Sequence, residues 1–308
     1  MQTTLKSAIS FSGVGLHTGR RSRVVLRPAS AEFGIWFRRL DIERLDPLIP
    51  ARWDAVPAAE LCTKIVNGDG VSVSTIEHLM AAIMGTGIHN LLVEIDGPEV
   101  PILDGSSAPF VAGILSRGLQ KQDAEVRALQ ILKTVEVRNG DAFARLEPSD
   151  GLEIDFEIDF AEGAIGHQRK SLDMANGSFV RELCDSRTFC RKSDIAAMRA
   201  NGLALGGQPG ENAIVFDGDR VSSPGGLRHR DEPVRHKMLD AMGDLALAGA
   251  PILGRYTGHK AGHAMTNALL RALFARPDAF RMISCDAGIS ARLPGAGLTS
   301  HDLAEMAA

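Results

Sequence analysis

Aromatic residues and cysteine are scarce in this sequence, and it has no excess of positive charge. Its 308 residues include 1 Tyr, 2 Trp and 12 Phe, too few for the stacking platforms of single-strand binders. Lys and Arg number 34 against 38 Asp and Glu, a formal charge of −4. No global basic field therefore recruits nucleic acid, and any phosphate recognition must be local. The four cysteines, Cys62, Cys184, Cys190 and Cys285, form no Cys-x-x-Cys pair. Neither a zinc knuckle nor a disulfide framework follows, and a reducing compartment is expected. No run approaches the roughly 18 apolar residues of a membrane span, and the opening Met1 to Lys6 lacks the apolar core of a signal peptide. The expectation is a cytoplasmic, soluble monomer that neither binds nucleic acid nor spans a membrane.

The residues that are present, 44% hydrophobic and 23% charged, have the balance of a folded globular protein. Short alternating runs at 7–14, 23–28 and 33–38 read as strands bounded by Gly and Pro. Thr75 to Met84 carries a helix pattern, with Ser74 or Thr75 as N-cap and Gly85 or Gly87 as stop. Leu91 to Ile95 is a strand, and Ala108 to Leu119 a second helix. The polar stretch Arg117 to Arg127 is the domain boundary, dividing 1–125 from 126–308. Alternation resumes at 134–137 and over Leu152 to Phe160. Helices follow at Pro233 to Ala248 and, after a Gly-bounded segment, at Ala264 to Ala275. Strands then helices, twice over, imply α+β layers and not a doubly wound parallel sheet. His78 to Gly85 and His236 to Gly243 both read His-x-Met-x-x-x-Met-Gly, an echo that points to internal duplication.

His236 and Asp240 lie four residues apart on one helix, about 40° apart in azimuth. Such a pair can grip one divalent cation, although an isolated His-x-x-x-Asp is more often a plain surface pair. Asp244 extends the stripe by a turn, among Met238, Leu239, Met242 and Leu245. Carboxylates on a core-facing stripe are costly unless paired, protonated or metal-bound. Glu77-His78 offers a completion, because zinc hydrolases use three protein ligands and leave a position for water that a nearby glutamate can deprotonate. The plainer alternative is a Glu that suits a helix N-terminus beside a core His. His263, between a Gly-rich segment and a helix, suits a proton donor or a solvated loop histidine, and Asp244 could raise its pKa. The loop Gly13-Val14-Gly15-Leu16-His17-Thr18-Gly19 could cradle a phosphate but lacks the Gly-Lys-Ser/Thr element of a P-loop. Residues 202–210 read as a mobile Gly-rich loop.

Together these segments resemble the UDP-3-O-acyl-N-acetylglucosamine deacetylase family of lipid A biosynthesis. The likeness rests on the Gly13 to Gly19 loop, Ser74-Thr75-Ile76-Glu77-His78-Leu79, Pro98 to Ser106, Ser186-Arg187-Thr188-Phe189, Asn212 to Val215, Val234 to Asp240 and Gly262-His263. It implies two similar two-layer α/β sandwich domains, helices packed between their sheets and an active site where the domains meet. It also implies that His78, His236 and Asp240 hold one catalytic zinc ion (iron(II) being compatible with the same ligands). Glu77 becomes the general base, His263 the general acid oriented by Asp244, and Thr188 the hydroxyl that stabilises the oxyanion. The substrate it implies is an acylated UDP-amino sugar, deacetylated to acetate and the free amine. Asp159 and Phe160 match the uracil site, and Lys237, Lys260 and His17 a patch at the hexosamine and diphosphate. Phe189 joins the substrate positions, with Ile195, Ala204 and Val215 in an acyl-binding insert near 188–215; core packing is the plainer reading of those three.

The sequence departs from the family pattern at Cys190-Arg191, at a Gly206 to Glu211 stretch one residue longer than usual, at Pro233, at Ala142 and at His89. None of these is an expected catalytic residue. Two alternatives remain: a paralogue that deacetylates another acyl length or nucleotide sugar, and a non-catalytic binding protein of the same fold. The Ala307-Ala308 end is an apolar finish that a protease could recognise.

Overall fold

A computed structural model describes residues 1–57, 61–299 and 302; the Ala307-Ala308 finish lies outside them. Two mixed sheets organise the chain. In the first, the strand order is Ile9–Val14, Arg21–Pro28, Leu91–Ile95, Ile35–Arg39, Leu48–Pro50. Every neighbouring pair is antiparallel except the parallel pair of Ile35–Arg39 with Leu91–Ile95. In the second, Val135–Asn139, Ala142–Glu147, Ile252–His259, Leu152–Asp159 and His167–Asp173 follow one another. The single parallel pair of this series is again the third with the fourth. The two halves thus repeat one topology, which is the duplication that the His-x-Met-x-x-x-Met-Gly echo implied. Arg127–Ile131 and Phe280–Ser284 extend the second sheet.

Helices α1 (Glu77–Gly85), α2 (Ala108–Arg117), α3 (Lys192–Ala200), α4 (Glu232–Leu245) and α5 (His263–Phe274) complete the α+β fold. α1 packs on α4, which lies on Leu152–Asp159, while α5 covers Val135–Asn139. Every residue of α1 is buried, as befits a helix that is covered on all sides. Strand Leu152–Asp159 shows the expected alternation, with Leu152, Ile154, Phe156 and Ile158 buried and Glu153, Asp155 and Glu157 turned outward.

Local differences from the sequence reading have local causes. Neither Ser74 nor Thr75 caps α1: Ile76 stands at the cap position. Thr75 instead adopts a positive φ of 56° and gives its hydroxyl to Glu99 Oε1 at 2.9 Å. The Gly-bounded segment before α5 is strand Ile252–His259, the centre of the second sheet. Pro233 sits in the first turn of α4, where its missing N–H removes no intrahelical bond.

Candidate active site

α4 presents His236, Asp240 and Asp244 on successive turns, each of them buried. The first turn of α1 brings Glu77 and His78, also buried, against that stripe. Gly243 permits this approach, because a Cβ there would stand 2.1 Å from the Glu77 carbonyl oxygen. His78 Nε2 lies 3.6 Å and His236 Nε2 3.3 Å from Asp240 Oδ1. The three residues can each offer a ligand atom within 4.8 Å of the others.

The protonation states suit a cation. His236 Nδ1 donates to the Ser186 carbonyl at 3.0 Å, which leaves Nε2 with its lone pair turned toward Asp240. Burial pushes the His236 pKa down to about 4 against the pull of Asp240, so the ring is neutral, as a ligand must be. Burial also opposes the charge on Asp240, yet the groups around it, the cationic Lys237 and His263 among them, override it and hold the carboxyl well below its usual range. Lys237 Nζ donates to Asp240 Oδ2 at 2.7 Å. Oδ1, between the two imidazoles, is buried without a hydrogen bond among the described residues. A desolvated carboxylate oxygen in that state is costly. The His₂Asp donor set around it fits a divalent metal ion.

Beside this trio sits an acid–base set. His263, the first residue of α5, directs Nδ1 to Asp244 Oδ2 at 2.8 Å and Nε2 to within 3.8 Å of Glu77 Oε1. Burial works against a charged His263, but Asp244, Asp240 and Glu77 outweigh it and raise its pKa to about 9. Burial pushes the Glu77 carboxyl upward, while His263 and His78 pull it back.

All of these groups except Asp244 line one cavity of about 590 Å³. His17, Thr188, Phe189, Lys237 and Lys260 line it too, with Asp159 and Phe160 at its wall. Lys260 pairs with Asp141 at 2.9 Å and Asp159 at 3.2 Å. Phe189 meets His236 edge-on, with ring centroids 6.2 Å apart, and Phe160 at 5.7 Å. A second cavity of about 140 Å³ shares His17, Thr188 and Phe189 with the first and is lined by Ile195, Ala204 and Val215. α3, which supplies Ile195, has no fully buried residue.

Several residues that organise the site received no such role from the sequence reading. The Gly13 to Gly19 loop wraps a carboxylate of its own chain, not a phosphate. Glu99 Oε1 accepts from His17 N and Oε2 from Thr18 N, both at 2.8 Å. A Cβ at Gly15 would stand 2.2 Å from Oε2. Arg187 forms a buried pair with Glu232, Nε to Oε1 at 2.9 Å, and its backbone N donates to the same oxygen. That pair ties the Ser186 to Thr188 segment to the start of α4. Thr63 touches Glu77, Asp244 and His263 at once. A lone Thr between Cys62 and Lys64 has no spacing by which to be found.

The family model described as UDP-3-O-acyl N-acetylglycosamine deacetylase (LpxC) matches residues 2–275. A protein of Phenylobacterium zucineum named UDP-3-O-acyl-N-acetylglucosamine deacetylase is 50% identical over 281 residues, 91% of this chain and 96% of its own. Proteins of the same name from Idiomarina loihiensis and Shewanella woodyi are 47% and 46% identical, each over 92% of this chain and 93% of their own. Among the described residues, no helix is long and apolar enough to cross a membrane. With the match covering residues 2–275, every residue of the metal-competent trio among them, the chain belongs to the UDP-3-O-acyl N-acetylglycosamine deacetylase family.

Proposed function

We propose that the protein hydrolyses the 2-acetamido group of UDP-3-O-acyl-N-acetylglucosamine to acetate and the free amine, a step of lipid A biosynthesis. The observation that carries this reading is the buried His78, His236 and Asp240 trio with Glu77 and the His263–Asp244 pair at its edge. His78, His236 and Asp240 would hold one zinc ion, and iron(II) suits the same donors. When bound, that ion supplies Lewis acidity toward the acetamide carbonyl and the attacking water. Glu77 takes the proton from the water, and its upward-shifted pKa makes it the stronger acceptor. The Thr188 hydroxyl donates to the oxygen on which charge develops. His263 Nε2, protonated at neutral pH, gives its proton to the departing nitrogen while Asp244 holds Nδ1. Water thus divides between the acetate and the amine.

The remaining contacts follow the shape of such a substrate. Lys237, Lys260 and His17 supply cationic and donor groups for the sugar and diphosphate, and Asp159 and Phe160 an acceptor and an aromatic face for the base. Phe189, Ile195, Ala204 and Val215 offer an apolar channel to the acyl chain. The domain division falls at residues 125 and 126: Leu119–Lys121 still pairs with Thr3–Leu5, whereas Arg127–Ile131 joins the second sheet. The enzyme works as a cytoplasmic monomer, a reading supported by four free cysteines and by a trio drawn from one chain.

The test is release of free amine from UDP-3-O-acyl-N-acetylglucosamine by zinc-loaded protein, with Glu77→Ala alongside. Turnover should fall by about a hundredfold or more in the variant while its zinc content stays at one ion. A wild type that binds zinc but leaves every acyl length intact would move the activity to another nucleotide sugar, and one that cannot hold metal would leave a binding protein.

A further inference from the structure

Thr63 belongs to the first half of the chain and lies just before strand Lys64–Val66. It is 3% exposed, and each of its polar groups is committed. Its backbone N–H donates to Glu77 Oε2 at 3.0 Å, and its carbonyl accepts from Ile76 N at 3.3 Å. Its hydroxyl donates to Asp244 Oδ1 and lies 3.2 Å from His263 Nδ1. One residue therefore holds one carboxylate oxygen of the base and one carboxylate oxygen of the group that orients the acid.

The consequence is geometric. With Oε2 tied to the Thr63 N–H, Glu77 leaves Oε1 turned toward the cavity, 3.8 Å from His263 Nε2. With Oδ1 tied to the Thr63 hydroxyl, Asp244 can rotate little and offers Oδ2 to His263 Nδ1 at 2.8 Å. Without that hydroxyl, Oδ1 would be a buried acceptor lacking this donor. The carboxylate would then turn to share its oxygens with the imidazole. His263 would turn with it, and its Nε2 would leave the position set relative to Glu77.

We propose that Thr63 is a positioning residue that sets the Glu77 base and the His263–Asp244 acid in register across the interface of the two halves. It lines neither cavity, and its hydrogen-bond partners among the described residues do not include the three metal-competent side chains. The proposal rests on the acid–base reading given above. Thr63→Val preserves the shape and the backbone N–H and removes only the hydroxyl. It should lower kcat by about tenfold to a hundredfold, the range seen when a partner that orients an active-site group is lost, with KM within about twofold and zinc content unchanged. Thr63→Ser, which restores the hydroxyl, should recover most of kcat.

A second measurement is independent of turnover. In histidine-labelled protein, the low-field proton of His263 Nδ1 reports the bond to Asp244. That resonance should move or broaden in Thr63→Val and return in Thr63→Ser. If the wild type releases no amine, the functional reading has failed, and the resonance alone then decides the role of Thr63. An unchanged resonance with unchanged kcat in Thr63→Val overturns the proposal. So does a Thr63→Ser as impaired as Thr63→Val, because packing and not the hydroxyl would then be responsible.

Discussion

α1 and α4 descend from one pattern and do different work. Both contain His-x-Met-x-x-x-Met-Gly, and both are buried where they cross. Beyond that frame the chemistry is one-sided. Where α4 has Asp240 and Asp244, α1 has Ala82 and, just past its last residue, Thr86; where α1 has Glu77, α4 has Arg235. Thr86 turns its hydroxyl back on the Ala82 carbonyl at 2.7 Å, whereas Asp244 spends its carboxylate on His263 and Thr63. Duplication supplied two equivalent helices that meet closely, and the stripe of acidic side chains was placed on one of them. The other supplies the proposed base, Glu77, and the third metal-competent donor, His78. A symmetric scaffold therefore carries an asymmetric site, with the proposed base Glu77 and the proposed acid His263 3.8 Å apart beside one cation-competent trio.

The most severe way to break this division is on α4. Asp240→Ala makes that position equivalent to Ala82 of α1. It removes the carboxylate between the two imidazoles and leaves half-buried Lys237 without the Oδ2 it bonds at 2.7 Å. The expected result is loss of bound metal, read by elemental analysis, and a fall in turnover of about a thousandfold or more. Glu77→Ala on α1 should separate cleanly from it by retaining metal. Equal metal loss in both variants would dissolve the distinction between the helices.

A milder break targets Asp244. Because acidic neighbours hold the His263 pKa at about 9, this proposed acid is protonated at neutral pH and activity should fall as pH rises through that value. Asp244→Asn should move this alkaline limb down toward 6.5, the ordinary value, with a loss on the order of tenfold to a hundredfold near pH 8. Stability follows the same sign. A His whose pKa is raised on folding contributes fully below its unfolded value near 6.5, and the contribution fades as pH passes about 9. Wild-type Tm should accordingly decline over that window more than the Tm of Asp244→Asn.

What the sequence disclosed and what it hid follow from how each feature is encoded. His236, Asp240 and Asp244 were legible because a spacing of four on an apolar helix has one geometric meaning. Strand Leu152–Asp159 was legible through its period of two. Strand Ile252–His259 was not, because Gly254 and Gly258 interrupt the β signal. The structure shows why they are there: a Cβ would meet Ile131 Cγ1 at 2.6 Å and Phe156 Cε2 at 2.7 Å. Strand His167–Asp173 was missed because it is an edge strand without a buried residue and so has no apolar alternation to read. Ser186 and Thr63 act through a carbonyl, an amide and one hydroxyl, none of which a residue type or spacing announces.

The finest test compares the two glycines that close the repeated pattern. Both permit close packing, but against different neighbours. A Cβ at Gly85 would strike the buried Phe179 ring at 2.0 Å, and one at Gly243 the Glu77 carbonyl oxygen at 2.1 Å. Overpacking of either kind should destabilise by about 1–3 kcal/mol, so Gly85→Ala and Gly243→Ala should have similarly lowered Tm. Activity should tell them apart. Relief at Gly85 comes from moving an aromatic side chain outside the catalytic cavity, and kcat at a temperature well below Tm should stay within about threefold. Relief at Gly243 can come only by pushing apart the backbones of α4 and the first turn of α1. That moves Glu77 and His78 relative to His236 and Asp240, and a displacement of even about 1 Å should cost kcat on the order of a hundredfold. Equal kcat losses in the two variants would mean that general loosening of the helix pair, and not the register between the duplicated helices, sets the geometry of the site.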